Sequence, residues 1–165
     1  MDILIVYAGK TGTTEKCAGI IGQKLKNAKV VNLLQESPDI RNYDIIIIGG
    51  SVRYGRINSK ARNFINKNKS ALLGKKTAYY ICCGFADGGK KYLEESIDKE
   101  LLDNSVAYET FGGELDENKQ KGLDKLVAKF VHKAIEDGKI KAKPEILYDN
   151  IDRFITRIND EQEKK

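Results

Sequence analysis

The sequence predicts an α/β fold: a five-stranded, doubly wound parallel sheet with strand order 2-1-3-4-5. Three observations carry this. Apolar runs alternate with segments of helical period along the chain. The runs are continuous rather than alternating, as in strands covered on both faces. Glycine-rich turns follow three of the runs, at the edge where open α/β sheets take ligands.

The elements follow in order. Ile3, Leu4, Ile5, Val6 and Tyr7 form the first strand, and Cys17, Ile21 and Leu25 place a helix after it. Val30 and Val31, with Leu33 and Leu34, form the second strand. Residues 36–43 leave room for a turn or a short helix before the third strand at residues 45–48. Ala61, Phe64 and Ile65 mark the next helix, and residues 78–83 the fourth strand. Leu93, Ile97 and Leu101 read as one helix, and residues 105–111 as a weaker fifth strand. A wide stripe of Leu123, Leu126, Val127, Phe130, Val131, Ala134 and Ile135 then supplies the helix that completes the wrap. Past Gly138 a basic linker leads to Leu147, Ile151, Phe154, Ile155 and Ile158 at helical spacing. The expectation is one domain over residues 1–165: a core at 1–138, then at 139–165 the linker and an amphipathic helix. That helix packs on the domain or, alternatively, meets a partner or a membrane surface.

Composition bounds the function. The 165 residues suffice for one domain with its own core. No apolar run approaches the roughly 18 residues of a membrane helix. The start, Met1-Asp2-Ile3-Leu4, lacks the basic character of a secretory leader. Three cysteines make an odd count, with no metal-ligand spacing and one histidine, His132; they read as reduced thiols in a cytoplasmic protein. Net charge is +5 and the pI about 9.0, a lysine-rich surface without a nucleic-acid signature.

The chemistry is expected at the glycine-rich turns. The first contains Gly9, Lys10, Thr11, Gly12, Thr13 and Thr14. The second contains Ser51, Val52, Arg53, Tyr54 and Gly55, and the third Cys83, Gly84, Phe85 and Asp87. In the predicted order their strands are neighbours, so the turns converge on one crevice. Small residues ahead of a helix let backbone N–H groups face an anion, and the helix dipole favours it. A Walker A loop fails on spacing, because Leu4 stands where its first glycine belongs, and no G-x-G-x-x-G occurs. No acid–base, nucleophilic or metal-binding constellation is evident; His132 lies away from the turns.

These residues resemble the flavodoxin family over essentially residues 1–136. The loop from Tyr7 to Glu15 keeps the family's T-G-x-T core as Thr11-Gly12-Thr13-Thr14, with Gly9 where many members carry a hydroxyl. The segment from Tyr43 to Gly55, with Ser59, is similar to the flavodoxin-like menaquinone-dependent protoporphyrinogen dehydrogenases. That family inserts a long segment between strand five and the last helix. With the last helix read at Leu123–Ile135, residues 112–117 leave no room for one. The resemblance implies flavin mononucleotide (FMN) as cofactor. Tyr54 and Phe85 are then the stacking candidates, Ser51 and Cys83 ring contacts, Asp87 a ribityl or ring contact, and Arg53 the cation that stabilises reduced, anionic flavin. It also implies an electron carrier serving redox partner proteins, or an oxidoreductase acting on a quinone or a porphyrinogen. An interaction module without flavin is the third reading.

Overall fold

A computed structural model describes residues 1–84, 88–114, 123–138 and 144–164, with the side chains of residues 123–128 and 130 excepted. The chain runs β1 (Ile3–Ala8), α1 (Thr13–Lys24), β2 (Ala28–Asn32), β3 (Ile45–Arg53), β4 (Arg56–Ile57), α2 (Ser59–Leu73), β5 (Lys76–Cys82), α3 (Gly89–Ser96), α4 (Lys99–Asp103), β6 (Ala107–Thr110), α5 (Leu123–Glu136) and α6 (Tyr148–Glu163). Five strands lie parallel in the order β2-β1-β3-β5-β6, and β4 pairs antiparallel with β3 off that path. Apart from β4, this is the predicted order.

The continuous apolar runs behave as expected. β1 is buried along its whole length, and residues 45–50 of β3 likewise. Alternate side chains feed two cores. Ile3, Ile5, Tyr7, Ile45, Ile47 and Tyr80 meet α1 and α6 on one face. Leu4, Val6, Ile46, Ile48, Tyr79 and Ile81 meet α2, α3 and α4 on the other.

Three boundaries depart from the sequence reading. β2 ends at Asn32, where the Asn32 side chain accepts from Leu34 N at 2.9 Å and turns the chain, so Leu33 and Leu34 lie outside the strand. Residues 36–43 take the turn, one of the two alternatives expected for them. The helix expected through Leu93, Ile97 and Leu101 is two, because Ile97 and Asp98 adopt extended backbone between α3 and α4. β3 runs on to Arg53, through residues read as a loop.

Of the two outcomes expected for the C-terminal helix, packing on the domain is the one found: α6 covers the sheet on the α1 side. Ile151, Phe154, Ile155 and Ile158 are all buried in the α1-side core. Phe154 sits edge-on to Phe111 at 5.3 Å and to Tyr80 at 6.2 Å between ring centroids. The Asn150 side-chain amide donates to Thr110 O at 2.8 Å. A core ending at residue 138 therefore omits a helix that the sheet needs. None of α5's described side chains joins either core, although Val131 is buried. Leu123, Leu126, Val127 and Phe130 lie outside the described side chains, and the basic linker at 139–143 outside the described residues.

β6 and α6 are thus separated by a long excursion pinned at its base. Gly112 pairs antiparallel with Ile146, Gly113 N donates to Glu145 O at 3.0 Å, and Leu147 N donates to Phe111 O at 2.9 Å. The chain leaves the sheet edge and returns beside its own exit. The segment expected to be missing between the last strand and the last helix is present.

Candidate functional site

The parallel registers place the three turns together. Tyr7 pairs with Gly49 and Ala8 with Gly50, while Ser51 pairs with Cys82. The carboxyl ends of β1, β3 and β5 are therefore adjacent, and the residues after them share one edge. Gly9, Lys10, Thr11 and Gly12 connect β1 to α1; Thr13 and Thr14 are its first turn. Ser51, Val52 and Arg53 end β3. Cys83 and Gly84 follow β5. Phe85 and Asp87 belong to the third turn by sequence but lie outside the described residues.

The first turn ends on Gly12, the N-cap of α1, at φ 89°. A left-handed N-cap without a side chain leaves the first N–H groups of α1 without the usual Ser, Thr or Asp acceptor. Thr13 is buried, and its hydroxyl makes no side-chain hydrogen bond among the described residues. Lys10 is exposed beside this turn. The turn is also tightly wound: a Cβ at Gly9 would lie 2.6 Å from Thr14 Oγ1. A hydroxyl-bearing residue at position 9 would need the turn to open.

Buried contacts hold this turn from below. The Tyr80 hydroxyl donates to Thr14 O at 3.2 Å, and its ring stacks on Phe111 at 4.7 Å. The ring fits because position 49 is glycine; a Cβ there would lie 2.0 Å from Tyr80 Cζ. The Tyr7 hydroxyl donates to Glu15 at 3.0 Å. Burial first, and then that carboxylate, raise the Tyr7 phenol above its ordinary pKa. Cys17 and Cys82 face each other with 3.8 Å between sulfurs. The hydrogen bond with Cys17, followed by burial, pushes the Cys82 thiol well up, which makes it inert. All three cysteines are reduced and buried.

The second turn is a two-residue hairpin. Val52 pairs with Ile57 and Arg53 with Arg56, with Tyr54 and Gly55 at the tip. Both tip residues have positive φ, 50° and 71°, as tight hairpins twisted with their strands require. The pairing of β3 with β5 stops at Ser51, so the hairpin projects past the sheet edge. Tyr54 is 73% exposed at its tip. Ser51 does not cap α2: Asn58 does, accepting from Lys60 N at 3.0 Å.

Sequence reasoning missed Tyr92 and Arg56. A Cβ at Gly55 would lie 3.5 Å from Tyr92 and one at Gly88 3.0 Å from it, so this ring of α3 stands between the second and third turns. The signal was an aromatic one turn into the helix after the third glycine-rich stretch. Arg56 needed the hairpin register to be seen. The excursion also reaches this edge. Lys16 bridges Glu114 at 3.3 Å and lies 5.9 Å over the Tyr148 ring, and Cys83 N donates to Gly112 O at 2.8 Å. His132 is on α5, and no metal cluster occurs among the described residues.

Comparison with known proteins agrees with this architecture. Residues 4–141 match the model of the flavodoxin domain. Protoporphyrinogen IX dehydrogenase (quinone) of Escherichia coli K12 is 33% identical over 85 residues, 48% of this chain and 47% of that one. NAD(P)H dehydrogenase (quinone) of Rhodopseudomonas palustris BisB18 is 30% identical over 105 residues, 58% of this chain and 53% of that one. The chain thus spans about half the length of these curated relatives. Among solved structures, a flavoprotein from Lactobacillus acidophilus NCFM in complex with FMN superposes with a TM-score of 0.51 at 17% identity, over 66% of this chain and 92% of that one. Two-electron reduced flavodoxin from Megasphaera elsdenii gives 0.50 at 20% identity, over 77% and 98%. With the strand order, the three adjacent turns and a matched segment covering most of its length, the chain belongs to the flavodoxin-domain family.

Proposed function

We propose that this chain binds FMN at the carboxyl edge of its sheet and passes electrons between that flavin and an outside partner. The single observation that carries the reading is the first turn: uncapped N–H groups at the start of α1, with Thr13 buried beside them. A phosphate group fits this donor set. Thr11, Thr13, Thr14 and the backbone of residues 9–14 would hold the phosphate, with Lys10 adding charge. Tyr54 would cover one face of the ring, Ser51, Val52 and Gly55 would meet its edge, and Cys83 and Gly84 would close the other side. Phe85 as a second stacking ring and Asp87 as a ribityl or ring contact are carried over from the sequence, both lying outside the described residues. The bound flavin would supply one- or two-electron chemistry. The chain's own task is to fix the ring, exclude water beneath it and set the charge around it, with Arg53 favouring the reduced form.

Two observations favour a quinone-linked oxidoreductase over a pure carrier. The excursion lies between the last strand and the last helix, where the protoporphyrinogen-oxidising relatives carry their insert. Its base touches α1, just past the first turn, through Lys16 and Glu114. Both curated relatives are also named for quinone chemistry. No helix among the described residues is long and apolar enough to cross a membrane. The reading places the protein in the cytoplasm, where its thiols stay reduced.

Purified protein should be yellow, and FMN should bind in one-to-one ratio with quenching of flavin fluorescence. Steady-state oxidation of protoporphyrinogen with a menaquinone acceptor then separates the two roles. Turnover supports the oxidoreductase; flavin reduction and reoxidation without turnover supports the carrier. Failure to bind FMN overturns both.

A further inference from the structure

Between Asp44 and Asp87 the chain carries eight basic residues and no carboxylate. The whole chain has a net charge of only +5, so its excess of base lies in this stretch and the remainder is acidic. Part of the stretch serves the fold. Lys69 pairs with Asp98 at 2.7 Å, Lys76 with Glu161 at 2.6 Å, and Lys75 donates to Tyr43 O at 2.7 Å. Arg56, Lys60, Arg62 and Lys67 do not: all four are exposed, and none forms an ion pair among the described residues. They stand on β4 and on the outer face of α2, with the neutral, exposed Ser59, Asn63 and Asn66 between them. This face begins at the rim of the flavin site. Asn58 N donates to Ser51 O at 2.8 Å, and a Cβ at Gly50 would lie 3.4 Å from Ala61, so the first turn of α2 sits against the end of β3. Lys60 and Lys67, two turns apart, carry the charge about 10 Å down the helix.

We propose that the face formed by Arg56, Lys60, Arg62 and Lys67 docks an acidic one-electron redox protein against the edge of the flavin. The inference rests on the FMN reading and deepens it by giving the outside partner its charge. A cluster of one sign steers an oppositely charged partner and raises its encounter rate by roughly 10- to 1000-fold at low salt. Carboxylates are the complement that the face lacks. A protein fits it better than a lipid surface. A helix lying in a membrane interface turns apolar residues to the bilayer, whereas Ala61, Phe64, Ile65 and Leu72 of α2 are all buried in the domain. Two dockings balance the chemistry: each delivers one electron from the partner, and with one proton from water they give the anionic reduced flavin.

The test uses the FMN-loaded full chain in anaerobic stopped flow, with the flavin band as readout. A reduced plant-type two-iron ferredoxin, which is acidic, is mixed with the oxidised protein, and a c-type cytochrome, which is basic, with the reduced protein. Flavin reduction by the ferredoxin should slow about tenfold between about 10 mM and 300 mM salt, as screening shortens from about 30 Å to several Å. The cytochrome reaction should not slow. The double variant Lys60→Glu/Arg62→Glu should lose about tenfold in the ferredoxin rate at low salt, with the high-salt rate, the FMN Kd and the apo Tm kept. Lys26→Glu, at an exposed position between α1 and β2 on the opposite edge of the sheet, should alter that rate less than about twofold. A ferredoxin rate that ignores salt, or a salt dependence unchanged in the double variant, overturns the proposal. Flotation with phosphatidylglycerol vesicles that the double variant loses, while its ferredoxin rate stays that of the wild type, also overturns it and assigns the face to a lipid surface. Failure of the wild type to bind FMN overturns the flavin reading and this inference together.

Discussion

Replacing Tyr54 by Asn should stabilise the flavin-free protein and weaken flavin binding. Tyr54 stands at the first tip position of a two-residue hairpin with φ 50°, and Gly55 follows at 71°. For an ordinary L-residue the left-handed region costs about 1–2 kcal/mol. Asn-Gly is the preferred pair for this turn, so Asn recovers an appreciable part of that cost. With 73% of Tyr54 exposed, little burial is lost in exchange. A net gain of about 0.5–1 kcal/mol corresponds to roughly 1–4 °C in Tm for a chain of this size. The opposite effect falls on the holoprotein. A ring stacked on the flavin contributes about 0.5–1.5 kcal/mol beyond its buried area, so Asn should weaken FMN by about two- to tenfold or more. Differential scanning calorimetry of the apoprotein and fluorescence titration with FMN read the two effects separately. A lower apo Tm would refute the argument that the turn is strained. An unchanged FMN Kd would refute the stacking role.

Four further outcomes are expected. Phe154→Ala removes a fully buried ring from the Tyr80–Phe111 cluster and should cost about 3–5 kcal/mol in urea unfolding; a surface helix would lose far less. Gly49→Ala drives a Cβ into the Tyr80 ring, should destabilise by about 1–3 kcal/mol, and should weaken FMN by shifting the Thr14 carbonyl. Arg53→Ala should lower the flavin potential in an anaerobic redox titration, because removing a nearby cation disfavours the anionic reduced form. Glu161 is held below the ordinary carboxylate range by hydrogen bonds from Lys76 and then Lys164. A depressed carboxyl contributes stability above its unfolded pKa and loses it as pH falls through the folded value. Acid unfolding should therefore become shallower below about pH 4.5 in Glu161→Gln, as followed by circular dichroism.

The sequence alone determined the sheet, its order and the edge that carries the turns. Continuous runs such as Ile45–Ile48 have to be covered on both faces, and glycines after such runs mark where backbone is freed for a ligand. The first turn was legible because its residues are contiguous, so Gly12 and Thr13 describe themselves. Tertiary structure decided what depends on partners distant in sequence. α5 and α6 both carry apolar stripes, and nothing in either stripe says which one the sheet accepts. The choice was made by Phe111 and Tyr80, whose rings leave a place for Phe154, and by the Gly112–Ile146 pairing that returns the chain to the sheet. The run from Gly49 to Gly55 likewise reads as a loop by composition. As far as Arg53 it is strand because β1, β5 and β4 complete its hydrogen bonds, and only that register sets Arg56 opposite Arg53. Periodicity records which residues avoid water, whereas pairing and packing record which surfaces they avoid it with.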